Sequence, residues 1–168
     1  MQLVVIRHAI AEDQEAFAET GRPDTERPLT KRGAKIMKRI AKGLRREVKS
    51  IDVLAASPLV RAAQTAAIVS KQYDDIEIET VPGLAQGAPN MVAQWLLTQL
   101  DADVVAIVGH EPYLGILVTW LMSGLTSSHA EIEKGGVCLL DIDGTPRARS
   151  ATLRWALTPK VLEKLSQK

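Results

Sequence analysis

The stretch VVIRHAIAE, residues 4–12, is an apolar run that ends abruptly in Arg7 and His8. A short, continuous apolar run is typical of a parallel β-strand that is buried on both faces. A guanidinium and an imidazole directly after such a strand indicate little on their own. Their meaning depends on whether other strands of the chain end in the same way.

Short β-rich runs alternate with helical patterns along most of the chain. The runs are residues 3–7, 51–56, 76–80 and 103–108, and the helical patterns are residues 30–48, 58–72, 89–99 and 112–123. This alternation predicts an α/β fold, a three-layer sandwich with a mainly parallel central sheet and helices on both faces. Two further strands around Asp143-Gly144 predict a C-terminal hairpin at the sheet margin, and Thr158-Pro159 predicts the start of a last helix.

The composition is that of an ordinary soluble domain. With 168 residues, 46% of them hydrophobic, we expect one domain over residues 1–168. A formal charge of +1 provides no general field for nucleic acid or anionic lipid, so we expect neither as a partner. Cys138 stands in an apolar strand pattern, which predicts a buried thiol. The chain shows neither a membrane-spanning run nor a signal-peptide pattern, and a cytoplasmic location is expected.

The second and fourth predicted strands are also followed by polar side chains. After residues 51–56 comes SPLVR, where Ser57 and Pro58 predict a helix cap and first helical residue, and Arg61 follows within one turn. After residues 103–108 comes GHEP, which puts His110 at a strand end. The carboxyl ends of parallel strands meet at one sheet edge, where helix N-termini add positive potential. Together with Arg7 and His8, these residues predict a site for a tetrahedral dianion.

Four segments resemble the histidine phosphatase superfamily, also called the phosphoglycerate mutase-like fold. They are VVIRHA, RPLTKRGAK, LAASPLVRAAQTA and VAIVGHEP, in the order of that family, between residue 4 and about residue 112. The short chain and the ERPLTKRG segment are most similar to phosphohistidine phosphatases of the SixA type. The resemblance implies that His8 is the nucleophile that takes the phosphoryl group, while Arg7, Arg61 and His110 bind its oxygens.

The chemistry of such a site sets two conditions. Histidine attacks phosphorus only as a neutral imidazole, so one ring nitrogen of His8 must be bare and the other held by a hydrogen bond, which we expect from a backbone carbonyl. Planar guanidinium groups must balance the charge on the equatorial oxygens. Because the cationic side chains supply this charge, we expect neither a metal nor another cofactor.

Two departures from the family pattern bear on the substrate. Ala9 stands where the family usually has glycine, which requires an ordinary backbone conformation there. Residues 81–87, VPGLAQG, hold no carboxylate where relatives acting on alcohol phosphates carry a proton donor, although Glu12, Asp13 or Glu111 could substitute. Imidazole leaves far more easily than an alkoxide, so the pattern favours phosphohistidine on a signalling or phosphotransfer protein, with inorganic phosphate as product.

Other readings remain open. A small-molecule phosphomonoesterase and a noncatalytic phosphoryl-binding module would both keep the pocket, whereas a His-phosphotransfer carrier fits the βα pattern poorly. Thr30 predicts the cap of a helix with a charged outer face. Trp95 and Trp120 lie in apolar helical stretches and are expected in the core, and His129 is expected in an exposed loop.

Overall fold

The structure, a computed structural model, describes residues 1–167. Its strands are β1 (Gln2–Arg7), β2 (Val53–Ala56), β3 (Ile78–Thr80), β4 (Val104–Gly109), β5 (Val137–Ile142) and β6 (Ala151–Leu157). Its α-helices are α1 (Gln14–Ala18), α2 (Lys31–Glu47), α3 (Val60–Ser70), α4 (Pro89–Leu96), α5 (Tyr113–Ser123) and α6 (Pro159–Leu165). Every predicted strand and helix is present, with ends that differ by a few residues.

The six strands form one sheet in the order β3-β2-β4-β1-β5-β6. Strands β1 to β4 are mutually parallel, β5 runs antiparallel to β1, and β6 runs antiparallel to β5. Arg7 at the end of β1 lies opposite Gly109 at the end of β4, so the segments that follow both strands start side by side. The predicted α/β class, the mainly parallel sheet and the marginal hairpin are confirmed.

Helices cover both faces of the sheet. Successive side chains of a strand point to opposite faces, so strands that are apolar throughout place apolar side chains on both faces, and both must be buried. Val4 and Ile6 face one core with helices α2, α3 and α6, and Leu3 and Val5 face a second core with α4 and α5. Trp95 and Trp120 pack half-buried against the second core, as predicted. Burial raises the pKa of the Cys138 thiol to about 12, so this buried cysteine is unreactive.

The connection between β1 and α2 is a closed loop and contains more structure than its sequence predicts. Its ends pair through an isolated bridge between Ala11 and Leu29. Between them lie α1, whose N-terminus is capped by the Asp13 side chain, and a short 3-10 helix at Asp24–Glu26. Thr30 caps α2 by accepting a hydrogen bond from the backbone N–H of Gly33, as predicted. The connection therefore leaves the sheet edge and returns to it.

The predicted start of α3 is wrong by two residues. The helix begins at Val60 with Leu59 at the cap position, so Ser57 and Pro58 precede it. Ser57 Oγ instead lies 2.7 Å from a ring nitrogen of His110. The Ser57 side chain, which the local pattern assigns to the N-cap of α3, is therefore used in a long-range contact with His110.

The C-terminal elements follow the predicted order with two differences of detail. The turn of the β5-β6 hairpin contains Asp143-Gly144 but extends over residues 143–150. Thr158 occupies the cap position of α6 without a side-chain hydrogen bond to the helix. Within residues 1–167, none of the helices is both long enough and apolar enough to cross a bilayer.

Candidate functional site

His8 follows the last residue of β1 and is fixed at both its backbone and its ring. Its backbone N–H donates to the carbonyl of Gly109, and its Nδ1 lies 2.7 Å from the carbonyl oxygen of Ala9. Because a carbonyl only accepts, Nδ1 carries the proton and Nε2 is bare. Burial lowers the pKa of His8 to about 4, and the neighbouring positive charges act in the same direction. The ring is therefore neutral near pH 7, as a nucleophile requires.

Ala9 accepts this position without strain. Its φ is not positive, and its backbone N–H donates to Thr65 Oγ1, which in turn donates to the carbonyl of Arg61. The expectation of an ordinary backbone conformation at Ala9 is confirmed. The same contacts join the segment after β1 to helix α3.

His110 stands at the end of β4, and its ring centroid lies 5.0 Å from that of His8. Its Nε2 is 2.7 Å from Ser57 Oγ, which also accepts the backbone N–H of Leu59 at 3.3 Å. Burial, followed by the charge of His8, lowers the pKa of His110 to about 3. Ser57 Oγ already accepts the N–H of Leu59, and its hydroxyl proton has no other acceptor within residues 1–167. In the neutral ring Ser57 therefore donates to Nε2, which leaves the proton on Nδ1. His110 Nδ1 then acts as a donor.

Arg61 is the second residue of α3 and is only 7% exposed. Its Nη1 donates to the carbonyl of Asp24 at 2.9 Å, and its Nη2 lies 3.1 Å from Asp24 Oδ2. Asp24 is also bound by Arg27 at 2.7 Å. The hydrogen bond from Arg27 and the charges of both arginines lower the pKa of Asp24, so its carboxylate stays ionised. Asp24, in the connection between β1 and α2, thus holds the guanidinium of Arg61 in place.

Arg7 is held from the opposite side of the site. Its Nη1 donates to the carbonyl of Ile132 at 2.7 Å, in the connection between α5 and β5. The backbone N–H of Gly135 in the same connection donates to the carbonyl of Arg7. The guanidinium is therefore oriented by a segment far away in the sequence.

Three buried donors at this edge lack a hydrogen-bond partner among residues 1–167. They are Nε of Arg7, Nε of Arg61 and Nδ1 of His110. Unpaired buried polar atoms are rare in folded proteins and call for an explanation. Here all three belong to side chains that line one pocket together with His8. Such a set suits an oxyanion with several acceptor oxygens.

The pocket has a volume of about 490 Å³ and brings together all four residues predicted from the strand ends. It also contains three carboxylates that the sequence pattern places nearby, Glu12, Asp13 and Glu111. Three further charged residues, Asp24, Arg27 and Lys134, are not indicated by the strand ends. Arg27 belongs to the ERPLT segment, one of the segments that resemble the family, and this position could have identified it as a site residue from the sequence. Asp24 and Lys134 lie in connections whose paths no local pattern predicts.

The family model described as histidine phosphatase superfamily (branch 1) matches residues 3–87. The chain belongs to the histidine phosphatase superfamily. This membership supports a phosphatase with a histidine nucleophile, and the resemblance predicted from the sequence is confirmed.

Two comparisons place this chain near the SixA proteins, and a third finds an uncharacterized relative. The chain is 28% identical to the phosphohistidine phosphatase SixA of Escherichia coli (strain K12) over 163 residues, which cover 95% of this chain and 94% of that protein. It is 33% identical over 141 residues to an uncharacterized protein of Picosynechococcus sp., with 82% of each chain covered. A structure of the protein histidine phosphatase SixA complexed with tungstate superposes with a TM-score of 0.82 at 26% identity, covering 96% of this chain and 99% of that one.

The carboxyl groups around the pocket differ in what they can do. Asp13 accepts the backbone N–H groups of Glu15 and Ala16 and so serves as the cap of α1. Both oxygens of Glu111 accept backbone N–H groups. Glu12 is exposed at the pocket and its carboxyl group forms no hydrogen bond within residues 1–167. Of the three substitutes considered for a proton donor, two are therefore engaged as acceptors.

The two buried histidines of this histidine phosphatase predict a pH-dependent stability. Unfolded histidine binds a proton below its ordinary pKa of 6.5, whereas folded His8 and His110 do so only near pH 4 and pH 3. Their contribution is complete above pH 6.5 and is lost as the pH falls toward those values. We expect the free energy of unfolding to drop by as much as about 2 kcal/mol per histidine between pH 6.5 and pH 5.

Urea denaturation at several pH values checks this expectation in the wild type and in His8→Ala. The variant should lose about half of the histidine contribution, while His129→Ala, a change of the exposed third histidine, should keep all of it. Equal pH dependence in the wild type and His8→Ala would show that the folded His8 ring is not held neutral.

Proposed function

We propose that the protein is a phosphohistidine phosphatase that acts on a signalling or phosphotransfer protein through a phosphorylated His8. The observation that carries this proposal is the bare Nε2 of His8 in a pocket lined by three side chains with unpaired donors. The related SixA structure holds tungstate, a tetrahedral oxyanion like phosphate, which supports a phosphoryl group as the ligand of the pocket.

In the first step, His8 Nε2 attacks phosphorus as the bond from phosphorus to the substrate nitrogen breaks. Arg7, Arg61 and His110 Nδ1 bind the three equatorial oxygens, whose charge is spread in the transition state. The substrate imidazole leaves as a neutral ring when its other nitrogen already carries a proton. In the second step, water attacks phosphorus and the bond to Nε2 breaks. Inorganic phosphate leaves with the two protons of that water, and His8 returns to its neutral form with the proton on Nδ1.

The carboxyl groups at the pocket favour phosphohistidine over alcohol phosphates. An alkoxide needs a proton donor to leave, whereas imidazole has a reference pKa near 6.5. Residues 81–87 hold no carboxylate, Asp13 and Glu111 accept backbone hydrogen bonds, and Asp24 is ionised. The relative named phosphohistidine phosphatase covers nearly the whole chain, which supports the same substrate class.

Relative rates on two kinds of substrate test the proposal. We expect kcat/KM to be at least about 10-fold higher for a phosphohistidine-bearing protein than for p-nitrophenyl phosphate, since the ester is bound by its phosphoryl group alone. A preference for the ester would instead favour a small-molecule phosphomonoesterase. Absence of turnover on both, with tight phosphate binding, would favour a phosphoryl-binding module.

The Glu12→Gln variant distinguishes further between a phosphohistidine phosphatase and a small-molecule phosphomonoesterase. If Glu12 donates a proton to an ester leaving group, this variant loses activity on alkyl phosphates and keeps it on phosphohistidine. Under the proposal, the variant has wild-type activity on phosphohistidine and the wild type has negligible activity on alkyl phosphates.

A further inference from the structure

Glu111 joins two segments that border the pocket. Its Oε2 accepts the backbone N–H of Gly115 at 3.1 Å, in the first turn of α5. Its Oε1 accepts the backbone N–H of Ile132 at 2.9 Å, in the connection between α5 and β5. Both carboxylate oxygens are thereby engaged with the main chain.

The carbonyl of the same residue, Ile132, is the acceptor that orients Arg7. Arg7 Nη1 donates to it at 2.7 Å, a distance typical of a strong, charge-assisted hydrogen bond. A chain of two hydrogen bonds thus runs from the Glu111 carboxylate through one peptide residue to a guanidinium in the pocket. A shift of the Ile132 backbone would move the Arg7 guanidinium with it.

Close packing supports this arrangement. A Cβ atom at position 115 would lie 2.1 Å from the carbonyl oxygen of Ala130 and 3.0 Å from Glu111 Oε2, so only glycine lets α5 approach the connection this closely. The connection has other attachments, including His129 N–H to Thr119 Oγ1 at 3.0 Å. Loss of the Glu111 contact should therefore displace Ile132 locally and leave the fold intact.

We infer that Glu111 is a positioning residue that holds Ile132, and through it the guanidinium of Arg7, in the geometry that binds the transferred phosphoryl group. The inference rests on the proposed phosphoryl-binding role of Arg7. It also assigns Glu111 a role other than proton donor, since both of its oxygens act as acceptors.

A double-mutant cycle with Arg7→Ala and Glu111→Gln tests the inference. Glutamine is nearly the same size but has a single carbonyl oxygen, so it can accept only one of the two N–H groups. In the wild-type background we expect kcat/KM for p-nitrophenyl phosphate, and the affinity for inorganic vanadate, to fall by about 10-fold to about 100-fold. In the Arg7→Ala background the same change should cost less than about 2-fold, because the two residues act as one unit.

Glu133→Gln is the matched control, since this exposed glutamate lies next to Ile132 and changes charge in the same way. It should keep the wild-type rate. Thermal melting identifies temperatures at which every variant is folded, and Glu111→Asp replaces Glu111→Gln in the cycle if the latter does not fold.

Four results would overturn the inference. They are a wild-type rate for Glu111→Gln, an equal loss for Glu133→Gln, additive losses in the Arg7→Ala background, and a loss that is larger for phenyl phosphate than for p-nitrophenyl phosphate. The last pattern would identify Glu111 as a proton donor, since phenolate is the poorer leaving group. An inactive wild type that binds no vanadate would instead contradict the proposed function.

Discussion

Replacing His8 by alanine is expected to abolish turnover, with a loss in kcat of about 1,000-fold or more on phosphohistidine protein and on p-nitrophenyl phosphate alike. The variant removes the bare Nε2 that forms the covalent intermediate under the proposed function, and no other side chain of the pocket is placed to replace it. His110 has one ring nitrogen bound to Ser57 and the other among the unpaired buried donors. Steady-state kinetics on both substrates measure the loss.

The His8→Ala variant should still bind the oxyanion. Arg7, Arg61 and His110 remain, so inorganic phosphate should bind within about 10-fold of its wild-type affinity. His129→Ala should behave as the wild type, because that ring is exposed and lies outside the pocket. Full turnover in His8→Ala would show that the phosphoryl group takes another route.

Replacing Arg61 by alanine is the second change with a large expected effect, a fall in kcat/KM of about 100-fold to about 1,000-fold. Arg61 is 7% exposed, so its charge acts in a largely desolvated site. Its loss removes a donor to the equatorial oxygens and leaves Asp24 without one of its cationic partners. The carboxylate, then balanced by Arg27 alone, would repel the incoming dianion more strongly than in the wild type. Kinetics and phosphate binding should both show the loss.

Arg61→Lys distinguishes charge from geometry. Lysine restores the positive charge without the planar fork, so it should recover only part of the lost activity. Arg32→Ala, on the exposed face of α2, is the control for a lost surface charge and should keep the wild-type rate. A wild-type rate for Arg61→Ala would show that Arg61 does not bind the phosphoryl group during the reaction.

The fold was largely predictable because its elements follow from local patterns. The continuous apolar runs of β1 and β4 are typical of parallel strands that are buried on both faces. The alternation of strands with helices along the chain then favours a parallel sheet over other topologies. Helix α1 was not predicted, since its five residues are too few to show a helical period. The start of α3 was wrong because the hydroxyl group of Ser57 binds a histidine 53 positions away in the sequence.

The candidate site was predictable to the extent that its residues stand at strand ends. Arg7, His8 and His110 occupy such ends, and Arg61 follows β2 closely, so the parallel sheet brings them together. The residues that orient these side chains lie in long connections between the strands and helices. Asp24 and Ile132 reach Arg61 and Arg7 from segments whose course depends on tertiary contacts. Sequence patterns of a few residues carry no information about such contacts.

Trapping the phosphorylated enzyme shows whether His8 carries the phosphoryl group during turnover. The wild type is mixed with phosphohistidine protein, quenched within milliseconds in alkali, where phosphohistidine is preserved, and digested for mass spectrometry. We expect one added phosphoryl group on the peptide that contains His8, and none on that peptide in His8→Ala. Turnover of the substrate with no phosphate on His8, or with phosphate on another residue, would show that His8 is not the nucleophile.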